Sequence, residues 1–295
     1  MCDELTAADN DRFFARQSGV SRRTFAAGTA VAGLMMMLPR AANAMKVKGR
    51  DVIIDTPDGK CDAYYVAPAS GKYPAVLVWP DVMSLRPAFR QMADRLAESG
   101  YAVLTVNHFY RSVKSPIMAE GESFDQAPVR ERIMPYRQLL TPEAVVRDAK
   151  AFVGWLDSQR QVDRKRGVGT TGYCMGGPLV MRTAATINGR VRAGASFHGG
   201  GLATANPDSP HLLVPQMKGQ YLFAVAENDD TRAPQDKETL RAAFAAASVP
   251  AEIEVYAGAQ HGWCPPDSRV YNQAQAEKAW GRLLALFDRT LKHPA

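Results

Sequence analysis

Gly172-Tyr173-Cys174-Met175-Gly176-Gly177 sets one thiol among small residues, where an apolar run gives way to a helix-forming one. A sulfur on such a corner has a chemical use. The N-terminus of the following helix aims unpaired N–H groups and the positive end of its dipole at the side chain, which favours an anionic sulfur. The glycines suit a tight strand–turn–helix corner, where neighbouring backbones crowd. The same residues would also spell a Gly-rich turn around an inert cysteine, so the thiol's partners decide. A nucleophilic thiol needs a base, and the base needs a group to orient it. His261 stands in Gly258-Ala259-Gln260-His261-Gly262-Trp263. Between thiol and imidazole lies the acidic stretch Glu227-Asn228-Asp229-Asp230-Thr231-Arg232-Ala233-Pro234. A surface histidine and a helix-start acid cluster are the bland alternatives for these two.

Positioning such groups takes strands that end where the chemistry begins. Pro57-Asp58-Gly59 predicts a hairpin turn between strands at 52–55 and 63–66. Residues 73–79 and 101–106 are continuous apolar runs, as for strands buried on both faces. Between them, 86–99 carries Phe89, Met92 and Leu96 at helical spacing and stops at Gly100. Residues 109–140 hold Pro116, Pro128 and Pro135 without clear period and read as a long excursion or lid, with a short helix near 131–139. Thr141-Pro142-Glu143 opens a helix running to about Ser158. Strands then follow at 167–172, 193–197, 221–226 and 252–256, alternating with helices at 176–186, 234–247 and 271–291. This alternation specifies an α/β fold: one domain with a mostly parallel sheet and helices on both faces. Cysteine, acid and histidine each fall after a strand, in the chain order of α/β-hydrolases.

The 295 residues carry 36 Lys and Arg against 30 Asp and Glu, a net charge of +6. No dense basic run, zinc-finger spacing or aromatic RNA-binding signature accompanies that charge, so no nucleic-acid partner is expected. Five His and four Cys show no metal-ligand spacing, and no cofactor is called for. At the start, Ser21-Arg22-Arg23-Thr24-Phe25 has the twin-arginine form, followed by an apolar stretch at 26–38 and small residues Ala42-Asn43-Ala44. The apolar stretch is shorter than the roughly 20 residues that span a bilayer. Residues 1–44 therefore read as a cleaved export signal for the twin-arginine machinery. Residues 45–295 read as a periplasmic domain without stable membrane association. Cys2 leaves with the signal; Cys61, Cys174 and Cys264 remain, an odd number that leaves a monomer at least one free thiol.

On these motifs the chain resembles the dienelactone hydrolase family over most of residues 46–293. The matching positions are the corner at 172–177, the Asp-x-x-x-Pro of Asp230 and Pro234, and residues 258–262. The resemblance implies a Cys174–Asp230–His261 triad, with Asp230 preferred to Asp229 because the family's acid stands four residues before the Pro. It also implies that Asp81, where the family usually has Glu, modulates the thiol, and that the N–H groups of Val82 and Met175 form the oxyanion hole. Ester or lactone hydrolysis through a thioester follows. Founding members hold a substrate carboxylate with two arginines, one of them four residues after the His; here that position is Pro265. Arg130, Arg132 and Arg137 lie in the region of the other, and Arg130, Tyr110, Tyr173 and Trp263 are the substrate-pocket candidates. Cys264, three residues after His261, reads as a neighbour of the active thiol, with a regulatory Cys174–Cys264 disulfide as a minor alternative. The rival readings are a carboxylesterase of other specificity, redox chemistry at the same thiol, and a non-catalytic exported binding protein.

Overall fold

Alternate residues of the central strands face two different cores, and that fixes the layering. In the computed structural model, which describes residues 4–18, 38–39 and 44–293, β3 (Ala75–Trp79) sends Val76 and Val78 to one side. It sends Ala75, Leu77 and Trp79 to the other. A strand apolar on both faces must be covered twice. On the first face lie α2 (Pro87–Glu98), with Phe89, Met92 and Leu96, and α8 (Gln273–Phe287), with Leu283, Leu286 and Phe287. On the second lie α4 (Pro142–Asp157), α5 (Gly176–Thr186) and α7 (Pro234–Ala246).

The sheet has eight strands, completed by β1 (Val47–Thr56), β2 (Gly59–Pro68), β4 (Ala102–Val106), β5 (Val168–Tyr173), β6 (Val191–Phe197), β7 (Gln220–Ala226) and β8 (Ala251–Tyr256). Their order is β1-β2-β4-β3-β5-β6-β7-β8. The opening hairpin pairs antiparallel, as does β2 with β4, and every later pairing is parallel. The carboxyl ends of β3, β5, β6 and β7 therefore open on one edge, where ligands sit in such sheets.

Local signals account for most boundaries. Thr141 accepts from the Ala144 N–H at 3.3 Å, with Pro142 at the first helical position of α4. Asn272 does the same for the Gln275 N–H at 3.2 Å, so α8 starts after it rather than at Tyr271. The α-helix ends at Phe287, and a wider turn over Asp288–Lys292 continues its apolar face through Leu291. In the excursion, the short helix lies earlier than expected, as α3 (Ala127–Ile133), with a 3-10 turn over Met134–Leu139. Two pieces had no periodic signal: a 3-10 turn at Pro210–Gln216 and the six-residue α6 (Glu227–Arg232). Ahead of the sheet, α1 spans Glu4–Ser18. The twin-arginine stretch at 21–25, most of the apolar stretch at 26–38, and Ala42-Asn43 lie outside the described residues. Among the described residues no helix is long and apolar enough to cross a membrane.

Candidate active site

Cys174 sits at the end of β5 with φ +54°, a left-handed conformation rare for a residue with a side chain. Two glycines make the corner possible. A Cβ on Gly172 would stand 2.2 Å from the Gly176 carbonyl oxygen, and one on Gly176 2.3 Å from that of Trp79. The second contact also presses the corner against the loop after β3, bringing Met175 beside the segment of Asp81 and Val82. The sulfur is buried.

His261, also buried, is hydrogen-bonded to Cys174 and lies on the loop after β8. Its other ring nitrogen, Nδ1, is 2.6 Å from Asp229 Oδ2. That pairing fixes Nε2 as the nitrogen facing the sulfur. The acid expected from the Asp-x-x-x-Pro spacing is corrected here. Asp230 bonds Lys237 Nζ at 2.6 Å and does not meet the histidine. The reason is α6: successive helical residues point about 100° apart, so Asp229 faces inward and Asp230 outward. The first turn of α6 also clasps the histidine loop. Asn228 Oδ1 accepts from the His261 N–H at 2.8 Å, and Glu227 Oε2 from the Gly258 N–H at 2.7 Å.

The electrostatics favour a charged pair. Burial opposes charge on the His261 ring, but the Asp229 carboxylate and the Cys174 sulfur outweigh it and raise its pKa to about 10. Burial likewise works against the Asp229 carboxylate, yet His261 holds its pKa below the usual range. By contrast, burial pushes the Cys264 and Cys61 thiols well up, as expected of inert sulfurs. No disulfide joins Cys174 and Cys264 among the described residues.

Asp81 is buried and within electrostatic reach of Cys174, and burial raises its pKa against the pull of Arg86. Arg86 grips it bidentately, Nη1 to Oδ1 at 2.7 Å and Nη2 to Oδ2 at 2.9 Å. The same guanidinium holds Asp267, just past the histidine loop, through Nε at 2.6 Å. Asp81 Oδ1 also accepts from the Met83 N–H at 2.9 Å, which shapes the loop carrying the Val82 amide. Neither Arg86 nor Asp267 was singled out from the sequence. The available signal was an arginine one residue before a helix-opening proline, five residues from Asp81.

The pocket candidates separate. Trp263 is fully buried and packs edge-on against His198, which in turn packs against His261. Tyr173 packs between Phe89 and Phe197 in the core below the corner. Tyr110 does not join the site: its hydroxyl is held at 2.7 Å by both Thr56 and Asp148, in the core on the α4 side. Arg130 is spent on its own excursion, donating to the carbonyls of Phe124 and Asp125, and Arg132 pairs with Glu122. What the excursion does bring over the site is apolar. Phe109, Ile117, Val129 and Ile133 pack with Val82, and Met175 lies against them. Among the described residues no His, Cys, Asp and Glu cluster could hold a metal ion.

With this geometry, the comparisons with known proteins are decisive for ancestry. The sequence matches the model of the dienelactone hydrolase family over residues 61–291. The chain belongs to the dienelactone hydrolase family. It is 27% identical over 231 residues to a protein of Synechocystis sp. named "putative carboxymethylenebutenolidase", covering 76% of this chain and 89% of that one. It is 24% identical over 225 residues to a carboxymethylenebutenolidase of Rhodococcus opacus, covering 75% and 83%. The fold is that of α/β-hydrolases. A crystal structure described as a "putative dienelactone hydrolase" from Klebsiella pneumoniae superposes with a TM-score of 0.71 at 22% identity, over 83% of this chain and 99% of that one.

Proposed function

We propose that this member of a carboxylic-ester hydrolase family cleaves small esters or lactones through a thioester on Cys174, with His261 as base and Asp229 orienting it. The observation that carries the reading is the Cys174–His261–Asp229 relay at the carboxyl edge of the sheet. The Cys174 thiolate attacks the carbonyl carbon, and the developing oxyanion is met by the Val82 and Met175 N–H groups. One such donor is worth about 3 kcal/mol of barrier. The imidazolium of His261 protonates the leaving oxygen, and water then releases the acid from the sulfur. Asp81, held by Arg86, adds negative charge near the sulfur and keeps the Val82 amide in place.

The substrate we propose is uncharged at the acyl end. Pro265 stands where a carboxylate-binding arginine would be, Arg86 is engaged by two acids, and the excursion packs apolar side chains against Val82 and Met175. A panel of alkyl and aryl esters and enol lactones, run beside Cys174→Ala, tests this. Turnover of neutral esters that vanishes in the variant is expected; preference for carboxylated lactones would overturn the substrate reading. We also propose export by the twin-arginine route with a mature chain starting at Met45. N-terminal sequencing of periplasmic material checks it, and retention of an Arg22→Lys, Arg23→Lys variant in the cytoplasm is expected.

A further inference from the structure

His198 is a second histidine in the site that the relay does not use. It follows β6, the strand paired with β5, and the register sets Phe197 opposite Tyr173, so His198 lies alongside Cys174. Its own backbone N–H donates to the carbonyl of Ala224 in β7, the strand that leads into the Asp229 helix, at 2.8 Å. The backbone there has φ +41°, a strained conformation for a bulky residue, and such strain persists where the surroundings impose it.

The ring is fully buried, 5.2 Å from the His261 ring and 5.1 Å from that of Trp263, edge to face with both. Beyond a contact with its own backbone that does not meet hydrogen-bond geometry, neither nitrogen has a partner among the described residues. Buried imidazole nitrogens without protein partners are sites for water or ligand. Burial, and then the charge on His261, push the pKa of His198 well down, so the ring is neutral with one donor and one acceptor.

We propose that His198 holds the hydrolytic water beside the Cys174 thioester. The role rests on the thioester reading above and adds a residue to its second half. In that step the neutral His198 accepts a hydrogen bond from the water or donates one to its oxygen. His261 Nε2 removes a water proton, and the oxygen attacks the thioester carbonyl. The tetrahedral adduct collapses, the C–S bond breaks with its electron pair going to sulfur, and the carboxylic acid leaves. The proton on His261 remains to pair with the thiolate. Attack by Cys174 on the ester needs no water, so the first half-reaction does not depend on His198.

The test is His198→Phe, which keeps the ring packing against Trp263 and His261 and removes both nitrogens, read with an aryl acetate. The burst of phenol, about one per site, is expected to survive while steady-state turnover falls about 10²-fold, the scale of a misplaced reactant. Acetyl-enzyme should accumulate on Cys174 by mass spectrometry. Hydroxylamine, which needs no positioning by His198, should restore turnover to near the wild-type rate, and His198→Gln should recover part of the loss. Parallel loss of burst and turnover would overturn the proposal by placing His198 in the first step or in folding. Unchanged turnover would overturn it as well. Should the Phe variant fail to fold, judged by thermal unfolding, His198→Leu gives the same readout. Acetyl-enzyme absent from Cys174 in wild type and variants alike would instead bring down the thioester reading itself, together with this one.

Discussion

The His261 ring stands between the Asp229 carboxylate and the Cys174 sulfur, and its charge state follows from both. An ordinary histidine titrates near 6.5, whereas here the value rises to about 10. Because the folded value lies above the unfolded one, the favourable contribution is complete below pH 6.5 and is lost as pH rises through about 10. Under the proposed mechanism the same window sets activity on an alkyl ester, whose leaving alkoxide takes its proton from the imidazolium. Its kcat/KM is expected to fall on the alkaline side with an apparent pKa near 10. In Asp229→Asn that limb should move down toward the ordinary histidine value. The rate should also drop by about 10³-fold or more, since loss of the orienting carboxylate in such relays costs about 10⁴-fold. Asp230→Asn should stay within a few-fold of wild type, because that carboxylate pairs with Lys237 rather than with His261. Equal losses in the two variants would contradict the assignment. The thiol and the imidazole were legible from residue type and chain order. Which of two adjacent aspartates completes the relay was not, because it depends on the phase of a helix.

That helix shows where the sequence stops speaking at the scale of elements. The helix over Gly176–Thr186 was read to the residue, since glycines open it and its apolar spacing is regular. The six residues of α6 carry no apolar period, and their acidic first turn reads equally as a loop. Its fold comes from tertiary contacts, namely the Glu227 and Asn228 bonds to the histidine loop. Arg86 belongs to the same class: its role exists only where the loop after β3 meets the loop after His261. Removing it strands two acids, one of them fully buried. Arg86→Leu is expected to destabilise the fold by about 3–5 kcal/mol in urea titrations, as when one member of a buried ion pair is deleted. Adding Asp81→Asn should recover part of that, because the buried carboxylate goes with it. A loss below 1 kcal/mol for the single variant would contradict a buried clamp.

At the scale of the whole uncleaved chain, before the proposed removal of residues 1–44, the N-terminal helix α1 reaches the rim of the site. Asp9 pairs with Arg232 of α6, and Asp11 with Arg269 at 2.7 Å. Arg269 also pairs with Asp125 of the excursion and lies over the Phe14 ring. In the uncleaved chain, one helix thus ties the acid-bearing element to the excursion, near a sulfur that is itself buried. Deleting residues 1–44 is expected to raise the rate of Cys174 alkylation by iodoacetamide at neutral pH several-fold, with the thermal midpoint little changed. An unchanged alkylation rate would show that α1 does not restrict access. The layered sheet was legible from strand and helix periods. This contact was not, because residues more than 200 positions apart in the chain make it through surface charges.

One measurement bears most directly on the chemistry. An aryl ester reaction quenched in its first turnover and digested for peptide mapping should place one acyl group on Cys174 in the wild-type protein. Cys174→Ala should carry none there and show no turnover. Full hydrolysis by the alanine variant, or an acyl group found on another residue, would contradict the account.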